Sequence, residues 1–251
     1  MEFPETLSAE RRVLIENAAT QLQSQYGDGL LGLVLSGSAG RGVETERSDL
    51  DVLVVVTPEL VDKPLTRNTE LELLPVTLQH LETLATYGDA QWGYRWTYAW
   101  VPTLLDKTGG RIEQAMKRQA RLSPEESQEL LLQRLDAWIN QAYRSLKSSR
   151  DGNVLAARMD AVEAIAPFLD VVFALNGLVR PYNKYLTWAL QHHPLPSWPT
   201  EELLHTIEQY LAGDPEAIRQ SLRRVQSYEL PLIAETFAEW SAEQYDALRK
   251  P

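Results

Sequence analysis

Apolar residues recur at helical spacing through Ala9–Tyr26, at Val13, Leu14, Ala18, Leu22 and Tyr26, and Ser8 stands where an N-cap belongs. Gly27-Asp28-Gly29 ends that pattern. Two short apolar runs follow, Leu30–Leu35 and Asp49–Val56, and both read as buried strands. Between them, Ser36–Arg47 is rich in Gly and Ser and poor in large apolar groups, which predicts a loop with a helical turn. Glu70–Val76 is a third strand, with Pro75 putting its end near an edge or at the exit. Thr77–Thr86 has helical spacing, and Trp96–Leu105 reads as a fourth strand, closed by Asp106-Lys107-Thr108-Gly109-Gly110. The chain is therefore mixed α/β up to about residue 118.

After Ser123-Pro124-Glu125-Glu126, an N-cap with proline at the first helical position, only helical periodicity remains. The expected helices are Pro124–Lys147, Val154–Leu175, Lys184–Gln191, Thr200–Leu211, Pro215–Val225 and Leu230–Leu248, punctuated by Gly152, Gly177, Pro181, Pro194, Pro196, Pro199 and Gly213. The fold class that follows is α+β: residues 1–120 as a small mixed sheet with flanking helices, residues 121–251 as an all-helical bundle. No flexible linker separates the halves, so the expectation is close packing with a cleft between them.

Composition changes this picture only at its margins. The 251 residues include 7 Trp, 10 Tyr and 4 Phe, enough apolar bulk to build a real core and to exclude a disordered chain. Cysteine is absent, which removes disulfides, thiolate metal sites and a thiol nucleophile. No secretory signal is visible, so a cytoplasmic location is expected, and the apolar runs are too short to span a bilayer. The net charge of −11 argues against coating an extended nucleic acid, which needs clustered Lys and Arg. One segment, Arg144 to Lys184, carries a local excess of basic residues.

The informative segment is Leu35-Ser36-Gly37-Ser38-Ala39-Gly40-Arg41-Gly42, followed after five residues by Ser48-Asp49-Leu50-Asp51-Val52. Gly37, Gly40 and Gly42 permit a tight turn that brings backbone N–H groups close to an anion. Ser38 adds a hydroxyl donor where a helical turn would begin. Asp49 and Asp51 alternate on a strand and therefore share a face. Two carboxylates beside a phosphate cradle suit a hard divalent cation such as Mg²⁺, which prefers oxygen ligands and substrate phosphates. Ionised groups on an otherwise apolar strand are costly unless paired or metal-bound.

Gly37-Ser38 through Asp49-Leu50-Asp51 resembles the signature of the DNA polymerase β-like nucleotidyltransferase superfamily. Within it, the chain is similar to the small bacterial branch that includes the aminoglycoside (kanamycin) nucleotidyltransferases. Glu70-Leu71-Glu72-Leu73-Leu74 falls where that branch carries a third carboxylate. Glu72, flanked by Leu on both sides, matches the family's apolar-Glu-apolar position, leaving Glu70 at the rim. Asn176–Tyr185 resembles an Arg-Pro-Tyr-x-Lys segment of related enzymes and makes Lys184 a triphosphate ligand, with Arg144 and Arg158 as second candidates. One departure stands out. Where the kanamycin branch has a Glu and a Lys four apart on the first C-terminal helix, this chain has Asn140 and Arg144, and Asn cannot act as a general base.

The resemblance implies a Mg-dependent enzyme that moves a nucleoside monophosphate from an NTP, with ATP the expected nucleotide, to a hydroxyl of a small molecule, releasing pyrophosphate. Asp49, Asp51 and Glu72 would hold two Mg²⁺ ions and carry the chemistry. Gly37, Ser38, Arg41, Ser48 and Lys184 would bind the nucleotide. With Asn140 in place of the base, either Glu72 does that work, Asp136 one turn earlier does it, or the acceptor differs from an aminoglycoside. An acidic protein favours a polycationic, aminoglycoside-like acceptor. The alternatives are nucleotidyl transfer to a protein or RNA hydroxyl, and a non-catalytic, antitoxin-like member that binds a partner protein. A homodimer is compatible with the sequence. The aromatic run Tyr87–Trp100 reads as a packing face or as a stacking wall for a base or acceptor.

Overall fold

A computed structural model describes residues 1–240, which divide into two compact units, Met1–Arg121 and a second that begins at Leu122. The first unit opens with helix α1 (Ala9–Tyr26), capped by the Ser8 hydroxyl, which accepts from Arg11 N. Its buried face is Ile15, Ala18, Ala19, Leu22 and Tyr26. Val13, expected on that face, is instead 52% exposed. Strands β1 (Leu30–Leu35), β2 (Leu50–Val56), β3 (Leu71–Thr77) and β4 (Thr103–Asp106) form one sheet in the order β3-β2-β1-β4. β1 pairs antiparallel with β2 and β4, and β2 pairs parallel with β3. Pro75 therefore lies on an edge strand, where its missing N–H costs no ladder bond on the open side.

Sheet parity decides which side chains meet which layer. Val52, Val54, Val56, Leu71 and Leu73 join Ile15, Leu22 and Tyr26 in the core under α1. Leu53 and Val55 face the opposite way, into a second core with Leu81, Ile112, Ala115 and Met116. Those come from helices α2 (Leu78–Glu82) and α4 (Arg111–Gln119), with the short helix α3 (Trp92–Arg95) between them in the chain. With both faces covered, β2 reads as a continuous apolar run once past its two aspartates.

Two expectations of the sequence fail here. The helix expected over Thr77–Thr86 is confined to α2. The strand expected over Trp96–Leu105 exists only as β4: Trp96–Tyr98 is a 3₁₀ turn, and Trp100 has φ +53°. The alternating aromatics from Tyr94 to Trp100 are thus not one strand face. The reason lies in a distant residue. The backbone carbonyls of Trp96, Thr97 and Ala99 all accept from the Arg41 guanidinium, which holds this segment as a turn against the Ser36–Gly42 loop.

The second unit is helical: α5 (Pro124–Arg150), α6 (Val154–Leu175), α7 (Leu186–His192), α8 (Thr200–Ala212), α9 (Pro215–Gln226) and α10 (Pro231–Glu239). Ser123 and Glu126 form a reciprocal capping box at the start of α5, worth about 1 kcal/mol. Asp151-Gly152 turns the chain into α6, which Asn153 caps. Trp138, Phe168, Trp198 and Tyr210 make an aromatic core, with Phe168 stacked on Tyr210 at 5.2 Å. Burial pushes the Tyr210 hydroxyl upward in pKa, so it stays protonated and accepts from Trp138 Nε1 at 3.3 Å. Lys184, expected to begin a helix, sits in a 3₁₀ turn over Asn183–Tyr185 that precedes α7. Of the expected helix Leu230–Leu248, Pro231–Glu239 is present and residues beyond 240 lie outside those described. Among the described residues, no helix is long and apolar enough to cross a membrane.

Candidate active site

The loop leaving β1 is held from below. Ser36 N donates to Asp51 O at 2.8 Å, and Ser36 Oγ donates to Thr97 O at 3.0 Å. Gly37 turns the chain at φ +60°. A Cβ on Gly40 would lie 2.1 Å from Leu35 O, so the 3₁₀ turn Ala39–Arg41 closes over the end of β1 only with glycine there. Gly40 N and Arg41 N are used inside the turn, bonding Ser36 O and Ser38 O. The N–H groups of Gly37, Ser38 and Ala39 donate to no other described residue. Three successive donors left open at a tight turn form a concavity suited to an anion.

Arg41 has a different use from the one its sequence position suggests. It is 5% exposed, and its guanidinium donates to Gly37 O and to the carbonyls of Trp96, Thr97 and Ala99 while lying 4.0 Å over the Trp96 ring. Arg41, expected to bind nucleotide, is thus placed with its guanidinium against the backbone of its own loop and of the Trp96–Ala99 segment. A guanidinium turned inward onto four carbonyls braces the loop. Ser48 likewise serves a turn: its Oγ accepts from Thr45 N at 2.9 Å, and Arg11 Nη2 donates to its carbonyl at 2.5 Å. That turn delivers the chain to Asp49.

Asp49 and Asp51 precede and enter β2 on the parity of Leu53 and Val55. In the parallel register Asp51 lies beside Glu72. Carboxylate oxygens of Asp49, Asp51 and Glu72 all come within 4.8 Å of one another, with Asp51 and Glu72 half-buried. Glu70 is diverted from this group because it sits before β3, in a turn where its N–H donates to Asn68 Oδ1. It lines a separate polar recess with Glu10, Arg11, Ser48 and Thr69. The cluster also contains a residue that sequence reasoning passed over: Arg67 Nε stands 2.7 Å from Glu72 Oε1. Its signal was the Asn68 turn, which folds residue 67 back across from residue 72.

The donor set can be tested against a metal ion on its chemistry. Three carboxylates converge with no nitrogen or sulfur ligand, which suits a hard divalent cation and not zinc or copper. A Cβ on Gly37 would fall 2.1 Å from Asp51 Oδ2, so the open N–H groups and the carboxylates share one small space. The residues fit an ion that bridges protein carboxylates and a phosphate.

In the helical unit, Asp170 accepts from Arg134 Nε at 2.7 Å and from Arg180 Nη1 at 3.3 Å, while Arg180 Nη2 donates to Asn183 Oδ1 at 2.8 Å. That network fixes the Arg180–Tyr185 segment and leaves Lys184 exposed, its Nζ 5.2 Å over the Tyr185 ring. Arg144 pairs with Asp160 at 3.5 Å, and Arg158 donates to Ala212 O. Asp136, Asn140, Gln141, Arg144 and Glu163 line a groove of about 550 Å³ on α5 and α6. The Asp136 carboxylate accepts from Trp240 Nε1 at 3.0 Å. His192 stacks on Trp188 and is the last residue of α7.

Residues 15–91, which contain the loop, β2, β3 and all three carboxylates, match the nucleotidyltransferase domain family. No curated protein matches the chain significantly. Among solved structures, the chain is similar to a nucleotidyltransferase-like protein from Exiguobacterium sibiricum 255-15, at 13% identity and a TM-score of 0.43, over 94% of this chain and 87% of that one. The matched segment, residues 15–91, is a nucleotidyltransferase domain of the polymerase β-like superfamily, and nucleotidyl transfer is the class of activity that this domain supports.

Proposed function

We propose that this enzyme transfers a nucleoside monophosphate from an NTP, ATP foremost, to a hydroxyl of a small, amine-bearing molecule of aminoglycoside type, with release of pyrophosphate. The observation that carries the reading is the convergence of Asp49, Asp51 and Glu72 beside the open N–H groups of Gly37, Ser38 and Ala39. The three carboxylates would hold Mg²⁺, two ions being the number this chemistry uses; when bound, they compensate phosphate charge and make the acceptor hydroxyl a better nucleophile.

The protein's own part is positioning. Gly37, Ser38 and Ala39 offer backbone donors to the triphosphate, and the loop is prevented from opening by Arg41 and Ser36. Lys184 adds a mobile point charge for the phosphates. Within the helical unit, the α5–α6 groove offers Asp136 and Glu163 to ammonium groups, and Asn140 and Gln141 to hydroxyls.

A transfer screen with labelled NTPs against aminoglycosides, lincosamides, tRNA and bulk protein tests the reading. Label on an aminoglycoside, abolished by Asp51→Asn, is the expected result. Label on tRNA or protein alone would move the acceptor to a macromolecule, and no label on any acceptor would remove the transferase reading of this site.

A further inference from the structure

The turn before β3 sets Arg67 opposite Glu72. Asn68 Oδ1 accepts from Glu70 N and Leu71 N at 2.8 and 2.9 Å, Asn68 N donates to Leu71 O, and Leu73 N donates to Thr66 O. Arg67 and Glu72 thereby form an antiparallel bridge pair. Directly opposed residues project to the same face, so the backbone register commits Arg67 to the side of the sheet that carries the carboxylates. Its side chain is 80% exposed while that of Glu72 is 16% exposed. A pair this open adds little to stability. Its consequence is for the cluster, because a guanidinium occupies one of three carboxylates able to hold a cation.

We propose that Arg67 is a displaceable counter-ion of the metal site. It neutralises Glu72 while the site is free of metal, competes with the divalent ion for that carboxylate, and on displacement meets the triphosphate. The inference rests on the reading of Asp49, Asp51 and Glu72 as metal ligands. The geometry supports both halves. The Nε–Oε1 contact at 2.7 Å engages the carboxylate that the ion would use, and the long exposed side chain can turn without leaving the face to which Arg67 is registered. The exchange keeps charge balanced: a carboxylate loses one cation as it gains another, and the freed guanidinium finds the negative phosphates that arrive with the nucleotide. Ion alone then binds against Arg67, and ion with nucleotide binds with its help.

The test reads binding and not turnover. Mn²⁺ affinity is measured by electron paramagnetic resonance for the full chain, for Arg67→Ala, Arg67→Lys and Asp51→Asn. The affinity of the Mn²⁺ complex of a non-hydrolysable ATP analogue is measured by calorimetry. Removing one opposing charge at this range should tighten Mn²⁺ alone on the order of threefold to tenfold in Arg67→Ala, and weaken the analogue complex by a similar factor. Arg67→Lys, which keeps the charge, should stay near the parent in both. A structural role would move both affinities the same way, and that result, or an unchanged Mn²⁺ affinity in Arg67→Ala, would overturn the proposal while Asp51→Asn still abolished Mn²⁺ binding. If Asp51→Asn binds Mn²⁺ like the parent, the metal reading itself fails and Arg67 has no competitor.

Discussion

A methyl group on Gly37 would come within 2.1 Å of Asp51 Oδ2. The turn that exposes backbone donors and the carboxylate that can hold a cation are therefore packed into one side chain's worth of space. Gly37 also has φ +60°, a conformation that L side chains adopt only with strain.

Gly37→Ala is accordingly expected to displace the Asp51 carboxylate as well as strain the loop. The stability cost should be about 1–2 kcal/mol from the backbone conformation alone. Turnover should fall by more than about tenfold, since a displacement near 1 Å at a reacting centre is that costly. Thermal melting and steady-state kinetics on one preparation separate the two effects.

The three carboxylates should not behave like their neighbour Glu70. Asp51→Asn and Glu72→Gln are expected to lower turnover by more than about a hundredfold with the fold retained. Glu70→Gln, in its separate recess, should leave turnover within a factor of about two. Equal losses at Glu70 and Glu72 would contradict the division of the two glutamates that the β3 register makes.

Arg41 and Lys184 should separate stability from binding. Arg41→Ala strands carbonyls on both sides of the loop contact, and a cost of roughly 3 kcal/mol or more is expected in denaturant unfolding. Lys184→Ala touches an exposed side chain, so melting should not move. Its effect should be a higher KM for NTP, fading as ionic strength rises.

Asp106 provides a pH test remote from the chemistry. Burial raises its pKa, but hydrogen bonds from Thr108 Oγ1, Thr108 N and Glu113 N outweigh that and leave it below its ordinary value. A carboxyl whose folded pKa lies below its unfolded one stabilises the fold above the unfolded value. That contribution is lost as pH falls through the folded pKa. Asp106→Asn should therefore cost about 1 kcal/mol at neutral pH, and its unfolding curve should converge with that of the parent in acid.

Much of this molecule was legible in its sequence because the signals are local. Ser8 and Ser123 cap the helices they precede, since a hydroxyl two or three residues from an open N–H needs no tertiary partner. β1, the loop turn and β2 follow from short apolar runs around glycines. Glu72 and Glu70 could be told apart by depth in the strand, although only the parallel register to Asp51 shows one of them among the carboxylates and the other in a different recess.

What escaped the sequence depended on distant partners. The aromatic alternation from Tyr94 to Trp100 imitated a strand, yet Arg41, more than fifty residues earlier, binds the carbonyls that a strand would have offered to its neighbours. Arg41 reads as a phosphate ligand because a basic residue in a glycine loop has that local meaning, and only the fold shows it buried against four backbone carbonyls. Arg67 had no meaning until the Asn68 turn brought it across from Glu72. The sequence by itself determined the elements and the types of chemical group, because caps, glycines and alternation act within a few residues. The tertiary structure alone decided which of those groups face one another, because register and burial are properties of packed neighbours.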